Sequence, residues 1–205
     1  MSYEKNQAPV MKDLAGYIKP DQIQRTLDKA ALTSTRNWML IYILWRTGRR
    51  ISEVLKLKRK HINYDDELIL FSILKKKNKD YQKLKPADKE LIGKLKTYTT
   101  NMKSENYIFP SPYNPNAPLS RQQAYNIIRK TMEEAEILLV GKKPPHPHVL
   151  RHSFAINFLN NTTNKAIGLK LLSELLEHSK LEMTSTYLQF DQEDMKKELN
   201  IVFKS

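Results

Sequence analysis

Thr47-Gly48-Arg49-Arg50-Ile51-Ser52-Glu53 is the stretch on which the reading of this chain turns. Just before it, Trp38, Ile41, Tyr42 and Trp45 recur at helical spacing behind Thr33 or Ser34, either of which can cap a helix. That stripe is the expected core face of a helix, and Thr47-Gly48 ends it. Just after it, Ile51, Val54, Leu55 and Leu57 suggest a short amphipathic helix over residues 50–58, with Ser52 and Glu53 near its start. Arg50 therefore sits at a helix entrance.

Working outward, residues 1–18 are polar with weak periodicity and are expected to be flexible, and Pro20 opens a helix to about residue 30. The run Leu68-Ile69-Leu70-Phe71-Ser72-Ile73-Leu74 is rich in strand formers. It leads through a lysine-rich turn, residues 75–80, to a return past Tyr81, which reads as a basic hairpin. Residues 86–102 look helical, residues 109–118 are too proline-rich to be anything but a loop, and Ser120 caps another helix. A break at 141–147 precedes two more helices, 148–160 and 165–177, the second burying Leu171, Leu172, Leu175 and Leu176. Beyond residue 190, Met195, Leu199, Val202 and Phe203 are spaced for a small amphipathic helix. The fold class is mainly α with a small antiparallel β-sheet (α+β). The organisation is a flexible segment 1–18, one domain 19–190 and a helical tail 191–205.

The 205 residues suffice for one good core, and 35 Lys plus Arg against 22 Asp plus Glu leave a net charge of +13. A surplus of that size is most often used against a polyanion, with nucleic acid the first candidate. There is no cysteine, so disulfides and thiolate metal sites are excluded. The longest apolar run, residues 38–45, is too short to span a bilayer, and Met1-Ser2-Tyr3-Glu4-Lys5 opens no signal peptide. A soluble, cytoplasmic location is expected.

Downstream stand His148-Val149-Leu150-Arg151, then His178 and, nine residues later, Tyr187. Two arginines, two histidines and a tyrosine are what attack on a nucleic-acid phosphate without a metal requires. A zinc reading of His146, His148, His152 and His178 lacks a cysteine or a well-spaced carboxylate to complete it. Asp65, Asp66 and Glu67, adjacent in sequence, project in different directions and read as a solvated turn rather than a two-metal site.

In order and spacing these boxes resemble the catalytic domain of tyrosine recombinases, the phage-integrase and Xer-type family, from about Pro20 to Tyr187. The family's first box is Thr-Gly-apolar-Arg-apolar-Ser-Glu, which Thr47 to Glu53 match except that Arg49 takes the apolar place. Counting back from Ser52-Glu53 makes Arg50 the catalytic arginine. His148 to Ala155 resemble the second box, and Leu175-Leu176-Glu177-His178-Ser179 with Thr184 and Tyr187 the third. Glu177 stands where the family has glycine.

The resemblance implies a fold, a chemistry and roles. Tyr187 would be the nucleophile, Arg50 and Arg151 the guanidinium forks on the phosphate, His148 the base and His178 a phosphate hydrogen-bond donor. The family's hairpin lysine maps to Lys76, although Lys75 and Lys77 replace its flanking glycines, and Glu53 resembles the acidic residue that orients the site histidine. Lys75, Lys77, Lys79, Arg59 and Lys60 are expected to contact DNA.

The implied activity is site-specific recombination (integration, excision, inversion or resolution) without cofactor, metal or ATP. Double-stranded DNA and further copies of the chain, as dimer or tetramer, would be partners, together with an accessory DNA-bending or directionality protein. A type IB topoisomerase-like nicking and closing enzyme and a catalytically silent DNA-binding regulator are the alternatives. Family members usually carry an N-terminal helical domain, whereas about 20 residues precede the match here, which resembles the short fimbrial-switch invertases and is equally the pattern of an expressed fragment or a reduced mobile-element integrase. The tail is expected either to dock on a neighbouring protomer, as is common in the family, or to pack on its own domain.

Overall fold

The computed structural model describes residues 16–74, 80–176, 196 and 199–203. The helix ahead of the Thr47 stretch, α2 (Thr35–Thr47), is more than amphipathic: every residue from Met39 to Arg46 is buried. A helix apolar nearly all round belongs in the interior. Here α1 (Pro20–Thr33), α4 (Lys89–Tyr98) and α6 (Pro147–Asn161) all pack on it. The remaining elements are α3 (Ile51–Leu55), α5 (Arg121–Glu134), α7 (Lys165–Leu176), a 3-10 turn (Arg59–His61) and strands β1 (Ile62–Asn63), β2 (Leu68–Leu74) and β3 (Asp80–Pro86). The strands form one antiparallel sheet in the order β1-β2-β3, with Ile69 opposite both Ile62 and Lys85. Ile69, Phe71 and Ile73 of β2 point into the core, two residues apart as a pleated strand requires. The α+β class read from the sequence is the observed one.

Gly48 makes the turn between α2 and α3. Its backbone is left-handed (φ 59°, ψ 17°), and its N–H donates to the Leu44 carbonyl at 3.0 Å, closing α2. A Cβ there would sit 2.8 Å from Cγ of Phe154 on α6 and 2.9 Å from Cδ2 of Leu176 on α7. The bare glycine thus lets α6 and α7 close on this turn.

Boundaries moved where tertiary contacts outbid local propensity. The expected helix 50–58 stops at Leu55 because Arg59 and Lys60 give their N–H groups to Asn106 and Ser104 carbonyls, each at 3.0 Å, while Lys58 pairs with Tyr107. α4 begins at Lys89, not at 86: Pro86 finishes β3, and the Asp88 carboxylate caps the Leu91 N–H at 3.1 Å. β1 is too short at two residues to show an alternation, and the sequence did not announce it.

The packed body begins by Ile18, inside the segment expected to be flexible: it is buried, and its N–H donates to Ser153 Oγ at 2.7 Å. At the other end, Leu199 and Val202 are buried, while Phe203 meets Trp45 edge-on and stacks on Phe154, both at 6.0 Å. Residues 199–203 therefore lie in a groove of their own domain. Among the described residues no helix is long and apolar enough to cross a membrane.

Candidate active site

The site is built around the Gly48 turn. Arg50 caps the N-terminus of α3, its side chain 38% exposed, with Nη1 donating to Glu53 Oε1 at 3.0 Å and its backbone N–H to Oε2 at 3.2 Å. Arg49, its neighbour, goes the other way. Its side chain is 2% exposed, lies 5.1 Å over the Phe71 ring, sits 3.8 Å from Glu53 and donates to the Leu175 carbonyl. The fully buried Glu53 carboxylate is thus held between two guanidinium groups, one core-facing and one solvent-facing. The half-exposed Arg50 is the one of the two that can meet a ligand. Among the described residues Glu53 contacts this arginine pair; His178, one of the two site histidines, lies outside them.

Arg151, near the start of α6, is buried and bridges the turn to α7. Its Nη1 donates to the Gly48 carbonyl at 2.8 Å and its Nη2 to the Leu176 carbonyl at 2.6 Å. His148 lies one helical turn earlier, exposed at the mouth of the site. Partial burial first, and then the charges of Arg151, Arg50 and Arg121, hold its imidazole below the usual histidine value. It is therefore neutral near pH 7 and able to accept a proton. His146, 6.4 Å away ring to ring, is lowered in the same way by burial, His148 and Lys143.

Lys142, Lys143, His146, His148, Arg151 and His152, together with the apolar Val140, Val149, Ala155 and Leu176, line a cavity of about 630 Å³. Such a concave, cationic lining suits a phosphate group better than a neutral ligand. Among the described residues, no group of three or more His, Cys, Asp or Glu side chains is placed to hold a metal ion.

Of the residues singled out in the sequence, Arg50, Glu53, His148 and Arg151 are brought together. Arg59 and Lys60 are not at the cavity: Arg59 lies 5.9 Å over the Tyr64 ring, and Lys60 pairs with Glu105 at 2.9 Å. Lys75, Lys76, Lys77, Lys79, His178 and Tyr187 lie outside the described residues. The sequence reading passed over Lys142 and Lys143, taken only as part of a chain break, and Arg121, taken only as the residue after a helix cap. It named Arg49 only as a departure from the box and did not anticipate that Arg49 and Lys85 are buried cations. Leu84 is 48% exposed while Lys85 beside it is 8% exposed, so the strand turns a lysine inward and a leucine outward, against the apolar-in alternation that the sequence suggests.

The phage integrase family model matches residues 16–194. A tyrosine recombinase of Pseudothermotoga lettingae is 28% identical over 187 residues, covering 90% of this chain and 60% of the relative. Tyrosine recombinase XerD of Chlorobaculum tepidum is 30% identical over 168 residues, 78% of this chain and 51% of the relative. The chain thus spans between half and two thirds of the curated relatives it matches. Among solved structures, the XerA recombinase superposes with a TM-score of 0.63 at 25% identity, over 80% of this chain and 57% of that one. The integrase from mycobacterium phage Brujita gives 0.70 at 17% identity, over 97% and 62%. A XerH recombinase bound to its difH substrate gives 0.63 at 23% identity, over 98% and 58%. With the family model covering most of its length, and Arg50, His148 and Arg151 gathered at one turn, the chain belongs to the phage integrase family of tyrosine recombinases.

Proposed function

We propose that this chain carries out site-specific DNA recombination, cleaving and rejoining duplex DNA through a 3′-phosphotyrosyl intermediate. The observation that carries the reading is the meeting of Arg50, Arg151 and a neutral His148 beside a cationic cavity. In the reaction, the phenol oxygen of Tyr187 attacks phosphorus as the bond to the 5′-oxygen breaks. The phenol proton passes to His148, and the leaving oxygen takes a proton from a hairpin lysine, with Lys76 in the family's place. Negative charge grows on the non-bridging oxygens, and guanidinium forks from Arg50 and Arg151 stabilise it in a desolvated site. His178 adds a hydrogen bond to the same oxygens. The phosphodiester energy is retained in the tyrosyl link, so ligation requires neither ATP nor a metal.

Duplex DNA as the substrate is supported by the net charge of +13 and by the DNA-bound XerH, and a two-site reaction calls for self-association on DNA. Lys75, Lys77, Lys79, Arg59 and Lys60 would contribute phosphate contacts, so binding should weaken steeply with salt.

The test is incubation with a nicked duplex containing the DNA that flanks the gene, wild type beside Tyr187→Phe, scored for a covalent protein–DNA band on a denaturing gel. A band present in wild type and absent in Tyr187→Phe supports the mechanism. Tight binding with no band in wild type overturns it in favour of a silent DNA-binding regulator.

A further inference from the structure

The last turn of α7 is tied down by buried cations from three different elements. The Glu174 carbonyl accepts from Lys85 Nζ of β3 at 2.7 Å, the Leu175 carbonyl from Arg49, and the Leu176 carbonyl from Arg151 Nη2 at 2.6 Å. These are consecutive carbonyls in the last described turn of α7. Burying cations there is costly unless each is well bonded.

Both auxiliary cations occupy positions that patterning reserves for apolar side chains. Arg49 fills the apolar place of the Thr47–Glu53 box, and Lys85 takes the inward register of β3 opposite Ile69, which is itself fully buried. Two such departures, from an α2–α3 turn and from a strand, converge on neighbouring carbonyls of one helix end. Arg49 is fixed further by Glu53 and by the Phe71 ring, so it is a rigid post rather than a loose surface charge.

We infer that Arg49 and Lys85 are positioning residues: they hold the end of α7 against the Gly48 turn and thereby set the orientation of Arg151. Arg151 is suspended between the Gly48 and Leu176 carbonyls, so any drift of α7 away from the turn pulls its guanidinium out of line with Arg50. Arg49 and Lys85 touch no substrate themselves. This inference rests on the recombinase reading for its catalytic consequence, whereas the hold on α7 stands or falls independently.

The test uses the full chain with Arg49→Met, Arg49→Lys, Lys85→Met and wild type. Expected are single-turnover cleavage of the nicked duplex slowed about 100-fold in Arg49→Met and about 10-fold in Lys85→Met, with DNA affinity changed less than about 3-fold, since a displacement near 1 Å at a reacting centre costs rates of this order. Arg49→Lys, which keeps a cation for the carbonyl, should recover a good part of the rate. On a methylphosphonate linkage, where one charged oxygen is replaced by methyl, the deficit of Arg49→Met should shrink, because less charge is left for a displaced Arg151 to hold. A purely structural role would slow both substrates alike.

Hydrogen–deuterium exchange of residues 170–176 separates the two levels. Faster exchange there in Arg49→Met and Lys85→Met, with the rest of the chain unchanged, supports the tether even if wild type fails to cleave any DNA, an outcome that would count only against the recombinase reading. Exchange identical to wild type in both variants overturns the inference, as does an equal slowing of the charged and methylphosphonate substrates.

Discussion

Gly48→Ala should be among the most damaging single-methyl additions in this protein, and the structure gives its size. An L-residue in the left-handed conformation at φ 59° costs about 1–2 kcal/mol. The new Cβ would also overlap the Phe154 ring and come 2.9 Å from Leu176 Cδ2, an overpacking that typically costs about 1–3 kcal/mol. Reduced freedom of the unfolded chain returns less than about 1 kcal/mol. The net loss is about 2–4 kcal/mol, which for a chain of 205 residues lowers Tm by roughly 4–16 °C. Gly93, in α4, where an added Cβ would meet nothing within 4 Å, is the internal control. Gly93→Ala should raise stability by about 0.5–1 kcal/mol, because helical glycine gives up more entropy than alanine. Urea unfolding of the two variants beside wild type measures both. If Gly48→Ala lies within about 1 kcal/mol of wild type, α6 and α7 do not pack on this turn as closely as the distances require, and the geometry given for Arg151 goes with them.

Other outcomes follow from the same contacts. Asp88 is 1% exposed, pairs with both Arg46 Nε (3.1 Å) and Arg46 Nη2, and caps α4, so Asp88→Ala should cost about 3–5 kcal/mol by leaving a buried guanidinium short of its partner. Chemical denaturation checks this, and a loss below about 1 kcal/mol would contradict it. Ser153 Oγ accepts from Ile18 and donates to the Val149 carbonyl at 2.8 Å, both buried; Ser153→Ala should cost about 1–3 kcal/mol and expose the chain at residues 16–19 to protease, which limited proteolysis reads. The His148 imidazole should titrate below 6.5 in the free protein by NMR, and Arg50→Gln should move that midpoint up by removing one of the repelling charges. Because its folded value is depressed, charging favours the unfolded chain: the contribution is intact above about pH 6.5 and declines as pH falls below it. A midpoint at or above 6.5 in wild type would sink the assignment of His148 as a neutral acceptor. A bound phosphate should raise the midpoint again, since its charge opposes those of the arginines.

Much of this was legible in the linear chain. The α2 stripe, the hairpin, the proline loop at 109–118 and the helices after Ser120 and Pro147 follow from periodicity and turn chemistry, which act over a few residues and so leave their mark in a short window. The choice of Arg50 over Arg49 came from the resemblance to the family's box, in which Ser52 and Glu53 fix the register. Boundaries were less legible. α3 stops at Leu55 because of hydrogen bonds to residues near 104 and 106, about 45 positions away in the chain, and no local window contains that competition.

The sequence by itself determined the class of fold, the family and the identity of the candidate residues, since each rests on local pattern or on the order of short boxes. Only the tertiary structure decided what those residues do to one another. That Arg49 is buried and reaches the Leu175 carbonyl while Arg50 faces solvent, that Arg151 hangs between two backbone carbonyls, and that Lys85 turns inward to reach α7 all depend on groups 25 to 126 residues apart meeting in a low-dielectric interior. There, a backbone carbonyl and a buried cation satisfy each other, and hydrophobic patterning, which treats every charge as outward-facing, has no way to anticipate it.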